Sequence, residues 1–181
     1  MSRHLDSAEG LCANPDAETK DYVFNHIMLR VKDPERALDF YTRILGMRLL
    51  RRLDFEEMRF TLFFLGFVDD DEAATAPDDE HARTTWTFRR QAVLELTWNW
   101  GSEDDRDVQF HSGNEEPKGF GHIAVTVPDV YAACERFDRL GVEFVKRPEG
   151  GRMQGIAFIR DPDGYWVEIV QADILEQQAR A

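Results

Sequence analysis

Two histidines and two glutamates stand at matched places in this sequence, and their side chains are of the kind that binds a divalent metal ion. His26 and His122 each begin an alternating apolar run, in NHIMLRV and GHIAVTV. Glu95 and Glu168 each lie inside a later apolar run, in VLELT and WVEIV. Two neutral imidazoles and two carboxylates form a donor set suited to Zn, Ni, Fe or Mn, with room left for water or substrate. The four residues together predict a metal site.

The two histidines belong to an internal repeat. The stretch NHIMLRVKDPERALDFYTRILGM, from Asn25, aligns with GHIAVTVPDVYAACERFDRLGV, from Gly121, with one gap. Each copy predicts a strand, a turn, an amphipathic helix capped by Asp33 or Asp129, and a glycine that ends the helix. A lone histidine at the start of a strand is usually structural, whereas one that recurs in both copies favours a functional role.

Three more strands follow the helix in each copy, so that each module has the order βαβββ. The apolar runs MRLLRRLDF, RFTLFFLGF and AVLELTWNW predict them in the first copy, and VEFVKRPE, GIAFIRD and YWVEIVQA in the second. Strand alternation places Glu95 and Glu168 opposite their apolar neighbours, on the concave face of a sheet whose other face is covered by helices. The predicted fold class is α+β, with two paired βαβββ modules forming curved mixed sheets around a metal site.

Polar segments divide the chain into parts. The predicted parts are an N-terminal arm over 1–20, a first module over 21–101, a linker over 102–117, a second module over 118–172 and a C-terminal tail over 173–181, together one domain. The strongly charged stretch DDDEAATAPDDEHARTT, Asp69–Thr85, predicts a solvated loop inserted into the first module.

Charge and cysteine content narrow the functional classes. The 22 Lys and Arg residues against 35 Asp and Glu residues give a net charge of −13, which argues against a nucleic-acid-binding surface. No apolar run reaches membrane-spanning length, and the N-terminal MSRHLDSAEG lacks the apolar stretch of a signal peptide. Cys12 and Cys134 stand in unlike contexts, so we expect no disulfide framework and predict a cytoplasmic location.

Four stretches between about Phe24 and Val170 resemble the motifs of a known family. They are LRVKDPERALDFYTRILGM, LELTWNWGSEDD, GFGHIAVTVPDV and FIRDPDGYWVEI. In these motifs the sequence is similar to glyoxalase I (lactoylglutathione lyase), of the vicinal-oxygen-chelate superfamily, which has the glyoxalase/bleomycin resistance fold. The resemblance implies four metal ligands, and they coincide with the residues that the repeat singles out: His26, Glu95, His122 and Glu168.

The resemblance also implies an activity, the conversion of the hemithioacetal of methylglyoxal and glutathione to S-lactoylglutathione. Glutathione is then the co-substrate, and each site holds one divalent ion, Zn or Ni. His26 is typical of the nickel-activated members, whereas the insertion over Asp69–Thr85 is typical of the zinc-using ones. Glu168 is the predicted principal base, with Glu95 serving the opposite face of the substrate. The family's sites lie between subunits, which predicts a homodimer with the N-terminal arm as a strap across it.

Two sets of substrate contacts are implied by the same resemblance. The glutathione-binding positions are Arg30, Asn99, Lys118, Lys146 and Arg152. The apolar pocket for the substrate side chain consists of Phe55, Met58, Leu62, Phe64, Met153 and Phe158. Any one of these residues alone would be interpreted as a surface charge or as part of the core.

Two other functions stay open at the level of the sequence. An extradiol-type dioxygenase with non-haem Fe(II) needs two histidines, one carboxylate and open positions for O₂. The additional glutamate and the glutathione-type basic residues count against it. A metal-free binding protein of the same fold needs none of the four metal-binding side chains, whereas this chain has all four.

Overall fold

Two four-stranded sheets form the framework of the protein, for which a computed structural model describes residues 8–174. The first sheet contains β1 (His26–Val31), β2 (Arg48–Phe55), β3 (Phe60–Gly66) and β4 (Val93–Asn99). The second contains β5 (His122–Thr126), β6 (Phe144–Lys146), β7 (Ala157–Arg160) and β8 (Trp166–Val170). The strand orders are β1-β4-β3-β2 and β5-β8-β7-β6, and the pairs β1–β4 and β5–β8 are parallel. The predicted α+β class and the βαβββ order of each half are confirmed.

Four helices accompany the sheets within residues 8–174, and the two that follow the first strand of each half begin where the sequence predicts them. The four are α1 (Pro34–Asp39), continued by a π-helical turn over Phe40–Ile44, then α2 (Asp70–Ala74), α3 (Glu80–Phe88) and α4 (Val130–Arg139). The Asp33 and Asp129 carboxylates accept backbone N–H groups of the first turns of α1 and α4, which confirms both predicted caps. Gly46 and Gly141, which follow these helices, have φ values of 86° and 71°, a conformation that favours glycine. Across residues 8–174 no helix is long and apolar enough to cross a membrane.

One hydrophobic core joins the two halves. Its buried members come from both sheets and from the helices α1 and α4, and include Leu29, Tyr41, Leu96, Val130, Phe137, Val167 and Ile169. The Arg136 guanidinium on α4 adds a polar link, since it donates to the carbonyl oxygens of Ile44 at 2.6 Å and Arg43 at 2.9 Å. Because the core takes the helix-covered faces of the sheets, the opposite faces remain available to polar side chains.

The charged insertion is largely helical, so its interpretation as a loop is wrong over these helices, although most of its residues are exposed as predicted. It forms α2 and most of α3, and the carboxylates of Asp69 and Asp79 cap the two helix starts. Trp86, in the part of α3 that directly follows the insertion, packs against the buried cluster of Leu50, Phe64 and Val93. The acidic residues that suggested a loop lie at helix N-termini, where negative charge complements the helix dipole. The helix α3, which begins in the insertion and continues to Phe88, therefore covers part of the face on which Glu95 lies.

The predicted N-terminal arm falls only partly within the described residues. From residue 8 to residue 20 the chain is exposed, and it includes one 3₁₀ turn over Ala17–Thr19. Residues 1–7 of the arm, and all but the first residues of the predicted tail over 173–181, lie outside the described range.

A buried hydrogen-bond cluster fixes the β7–β8 turn against the first half of the chain. The Tyr41 hydroxyl donates to Asp161 Oδ2 at 2.8 Å, and Asp161 Oδ1 accepts the backbone N–H groups of Asp163 and Tyr165 at 3.0 and 2.8 Å. Asp163 Oδ1 accepts the backbone N–H of Lys32 at 3.1 Å, just after β1. Burial raises the pKa of Asp161 to about 6, although the hydrogen bond from Tyr41 opposes this shift.

We expect Asp161→Asn to change how folding stability depends on pH. The carboxyl has a pKa of about 6 in the folded protein against 3.8 for its ordinary value, so it favours folding most at low pH. This contribution is lost as the pH rises through the folded pKa, and two pKa units correspond to about 3 kcal/mol. Urea unfolding at about pH 4 and about pH 7 should therefore show the variant gaining roughly 2 kcal/mol relative to the wild type, because part of the contribution is already lost at pH 4, where the unfolded carboxyl begins to ionise. An equal pH dependence in both proteins would contradict this assignment.

Candidate metal centre

His26 and Glu95 form one pair of donor side chains on the first sheet. His26 begins β1, and Glu95 lies in β4 with Met28 as its register partner. His26 Nε2 is 3.2 Å from Glu95 Oε2, and the two side chains are 31% and 12% exposed. Glu95 Oε1 accepts the Thr97 hydroxyl at 3.0 Å, which leaves Oε2 directed at the histidine.

His122 and Glu168 repeat this arrangement on the second sheet. His122 Nε2 is 3.4 Å from Glu168 Oε2, and the side chains are 40% and 19% exposed. The register partner of Glu168 is Ala124, two residues after His122, as Met28 is two residues after His26. A phenylalanine on the strand beside that of the glutamate, Phe64 on β3 or Phe158 on β7, lies edge-on to each histidine, with ring centroids 5.7 Å apart in the first half and 5.2 Å apart in the second. The sequence repeat therefore extends to the positions of the donor atoms.

The distances within the two pairs fit two ligands of one divalent ion. Nitrogen and oxygen ligands bound at about 2.0–2.2 Å, at tetrahedral or octahedral angles, lie roughly 3.0–3.5 Å from each other. The distances of 3.2 and 3.4 Å fall in this range. Thiolate ligation is absent from this arrangement, because Cys134 is buried on α4, where burial raises its pKa to about 11. Each pair thus offers one edge of an N/O coordination shell.

The two pairs do not combine into one site within a single chain. In the range 8–174, no group of three or more His, Cys, Asp or Glu side chains is close enough to hold a metal ion. Catalytic zinc sites in proteins generally use three protein ligands and keep one position open. Each pair therefore has the character of half a site.

Comparison with known proteins identifies the family. Residues 23–169 match the family described as Glyoxalase/Bleomycin resistance protein/Dioxygenase superfamily. The chain belongs to this superfamily. A lactoylglutathione lyase of Pseudomonas aeruginosa is 59% identical over 180 residues, which cover 99% of each chain. A lactoylglutathione lyase of Pseudomonas putida is 54% identical over 167 residues, which cover 92% of this chain and 95% of its own.

A solved glyoxalase structure supports the same assignment at the level of the fold. The trypanothione-dependent glyoxalase I of Leishmania major superposes with a TM-score of 0.62 at 29% identity. The match covers 88% of this chain and 93% of that one. The glyoxalase fold, with its paired βαβββ modules, is therefore the framework in which the remaining predicted site residues are to be placed.

The five glutathione-type positions divide between the two halves of this glyoxalase fold. Arg30 lies in β1 and Asn99 at the end of β4, and both are exposed. Lys118 and Arg152 lie in exposed loops of the second half, and Lys118 is 3.8 Å from the Glu116 carboxylate. The fifth position, Lys146, is in β6. Each sheet thus contributes polar groups, as each contributes one donor pair.

Lys146 is already engaged by the chain itself. Its ammonium group donates to the backbone carbonyl oxygens of Met153 at 2.7 Å and Ile156 at 2.5 Å, which ties down the loop between β6 and β7. Partial burial lowers the pKa of Lys146, and the nearby Glu168 carboxylate opposes this shift. Lys146 therefore acts at least as a loop anchor and as a source of positive charge beside Glu168.

The six residues of the predicted apolar pocket differ in burial. Phe64 is buried, Phe55, Leu62 and Phe158 are half-buried, and Met58 and Met153 are 62% and 53% exposed. The register places Phe55, Leu62 and Phe64 on the same face as Glu95, and Phe158 on the same face as Glu168. The two methionines lie in loops beyond the strands. Four of the six residues therefore accompany the donor pairs directly.

Sequence reasoning does not single out Phe88, which also contacts the candidate site. This last residue of α3 lies edge-on to His26, with ring centroids 5.8 Å apart, and packs against Phe64 at 5.0 Å. Its position depends on how the insertion folds, so no local pattern in the sequence could reveal it.

We expect the protein to bind about one divalent ion per chain and to require both pairs for this. His26→Ala and His122→Ala should each lose most of the bound metal, because each removes one of the imidazole ligands. Elemental analysis after dialysis against zinc measures the stoichiometry. The matched control is His81→Ala, on the exposed surface of α3, which should retain the wild-type metal content. Full metal content in either single variant of the candidate ligands would contradict the site.

Proposed function

We propose that this protein is a lactoylglutathione lyase, which converts the hemithioacetal of methylglyoxal and glutathione to S-lactoylglutathione. The observation that carries the proposal is the similarity to lactoylglutathione lyases over nearly the full length of both chains. The two His–Glu pairs supply the groups that this reaction needs. This similarity also favours the lyase over the dioxygenase and the metal-free binding protein as interpretations.

Two chains would complete each site. The strands β1 and β5, which carry His26 and His122, are both edge strands of their sheets. Apolar side chains are exposed beside the first of them, with Phe24 79% and Met28 41% exposed. An exposed apolar patch next to an incomplete polar site is typical of a protein–protein interface.

The proposed assembly is a homodimer with two-fold symmetry. The His26–Glu95 pair of each chain would face His122 and Glu168 of the partner subunit, which creates two equivalent sites. Each site would then have two imidazole and two carboxylate ligands around one ion. This donor set accepts either zinc or nickel.

The reaction moves a proton between adjacent carbons and needs no oxidant or reductant. When bound, a divalent ion supplies Lewis-acid stabilisation of the negative charge that develops on the substrate oxygens. The Glu168 carboxylate would remove the proton from C1 of the hemithioacetal and return it to C2, while the hydroxyl proton passes from the C1 oxygen to the C2 oxygen, so that C1 becomes the thioester carbonyl and C2 carries the hydroxyl group. Glu95 faces the substrate from the other pair, and the positive charge of Lys146 lies beside Glu168.

The basic residues at the site suit glutathione, which carries two carboxylates and one amine. In a chain with a net charge of −13, such a ligand needs local positive charge. Arg30 on the first sheet and Lys118 and Arg152 on the second half would supply it, and Asn99 adds amide hydrogen bonds. The apolar face around Phe64 and Phe158 would accommodate the methyl group of the substrate.

Glu168→Gln should retain a metal-binding oxygen but lose most turnover, because an amide cannot accept the proton. We expect the zinc- or nickel-loaded wild type to convert the hemithioacetal, and the variant to show a kcat lower by about 10²- to 10⁴-fold. The matched control is Glu135→Gln, on the exposed surface of α4, which should have the wild-type kcat. A near-wild-type kcat in Glu168→Gln would remove this residue from the role of base, and an inactive metal-loaded wild type would reject the lyase function.

Mixing inactive subunits should test the shared site. In a heterodimer of His26→Ala and Glu168→Gln chains, a shared arrangement places both lesions in one site and leaves the other site intact. After verified subunit exchange, activity should therefore return to roughly a quarter of the wild-type level, because half of the dimers in a random mixture are heterodimers with one intact site. If each chain built its own site, every site would carry one lesion and no activity would return.

A further inference from the structure

Asn25 connects the C-terminal end of α3 to one of the candidate metal ligands. It lies immediately before β1, and its amide nitrogen Nδ2 donates to the carbonyl oxygens of Thr87 at 3.2 Å and Arg90 at 2.8 Å. These two carbonyls lie at the C-terminal end of α3. The amide oxygen Oδ1 of Asn25 is 2.6 Å from Nδ1 of His26. One side chain thus bridges α3 and the imidazole.

The two carbonyl partners determine which atom of the amide faces the ring. A carbonyl oxygen can only accept a hydrogen bond, so the amide nitrogen must face Thr87 and Arg90. The atom that faces His26 is then the amide oxygen, which is also an acceptor, and Nδ1 must carry the proton. In a neutral imidazole this leaves the lone pair on Nε2, which is the atom that lies 3.2 Å from the Glu95 carboxylate.

From this geometry we propose that Asn25 is a positioning residue, which holds the His26 ring in the tautomer and orientation that allow Nε2 to bind a divalent ion. The inference rests on the proposed function, because it takes His26 as a metal ligand. Histidine ligands generally donate their other N–H to an acceptor, and loss of that acceptor typically weakens metal binding 10- to 100-fold. The rings of Phe64 and Phe88, edge-on at 5.7 and 5.8 Å, further restrict the imidazole.

The C-terminal end of α3, which directly follows the insertion, orients Asn25 and the His26 ring. The end of α3 provides both carbonyl acceptors that orient Asn25, and Phe88 from the same helix packs on the ring. In the second half of the chain, the residue before His122 is Gly121, which has no side chain to act in this way. The repeat therefore preserves the candidate ligands but not the asparagine that orients the imidazole. That asparagine occurs only in the half of the chain that carries the insertion.

The chain offers a matched control for this inference. Asn114 donates from Nδ2 to the carbonyl oxygen of Gly121 at 2.6 Å, directly before His122. Asn114→Ala also removes an asparagine side chain beside a candidate ligand. The hydrogen bond that it loses is to the backbone of Gly121 and not to an imidazole.

Zinc affinity, measured by competition with a chromophoric chelator, separates positioning from mere structural support. Asn25→Ala removes the acceptor and should weaken zinc binding about 10- to 100-fold. Asn25→Asp keeps an acceptor for Nδ1 but has no N–H for the carbonyls of Thr87 and Arg90, so it should lower the melting temperature and keep zinc affinity near that of the wild type. Asn114→Ala should also bind zinc like the wild type.

Nitrogen NMR of the labelled, metal-free protein provides a second readout, which a purely structural role would not change. At about pH 8.5, where imidazoles are ordinarily neutral, and in a Glu95→Ala background that removes the carboxylate facing Nε2, the His26 proton should lie on Nδ1 when residue 25 is Asn or Asp, and the two tautomers should be mixed in Asn25→Ala. Unchanged zinc affinity in Asn25→Ala, or zinc affinities that follow the melting temperatures of the variants, would overturn the inference. A wild type that binds no zinc would instead overturn the proposed metal-dependent function.

Discussion

The parallel pairing of the first and last strands in each module is the constraint on which the candidate site depends. It places His26 and Glu95 on one face of the first sheet, and it places His122 and Glu168 on the corresponding face of the second sheet. The apolar neighbours hold this register, since Leu94 and Leu96 are only 2% and 0% exposed on the opposite face. A slip by one residue would turn the glutamate into the core and these leucines onto the polar face. The hydrophobic core thus determines where the donor atoms lie.

The sequence predicts the features that depend on local pattern and repetition. Strand alternation, the capping aspartates Asp33 and Asp129 and the duplicated histidines follow directly from residue order, and the βαβββ order follows from them. The helices of the insertion could not be predicted in this way, because its acidic residues resemble those of a solvated loop, and α3 is held on the sheet by Trp86, which follows the insertion. The role of Asn25 depends on Thr87 and Arg90, more than sixty positions away in the chain, and these contacts exist only in the folded protein.

The division of the site between two sheets explains how the proposed function depends on both halves of the fold. Each sheet contributes one His–Glu pair, some of the basic residues and part of the apolar surface. A substrate bound at a completed site would therefore contact a first sheet and a second sheet. The closed interface would also remove water from the donor pairs, which strengthens the electrostatic interactions among them. Metal binding, substrate binding and association of the chains would then stabilise one another.

The most direct test of this account is a crystal structure of the zinc- or nickel-loaded protein, with anomalous scattering recorded at the absorption edge of the metal. We predict one anomalous peak per chain. The metal ion at this peak should be bound by His26 and Glu95 of one subunit and by His122 and Glu168 of the other. Ligand distances of about 2.0–2.2 Å would identify all four side chains as ligands. A metal ion bound by four ligands of a single chain, or a metal ion remote from both His–Glu pairs, would contradict the account.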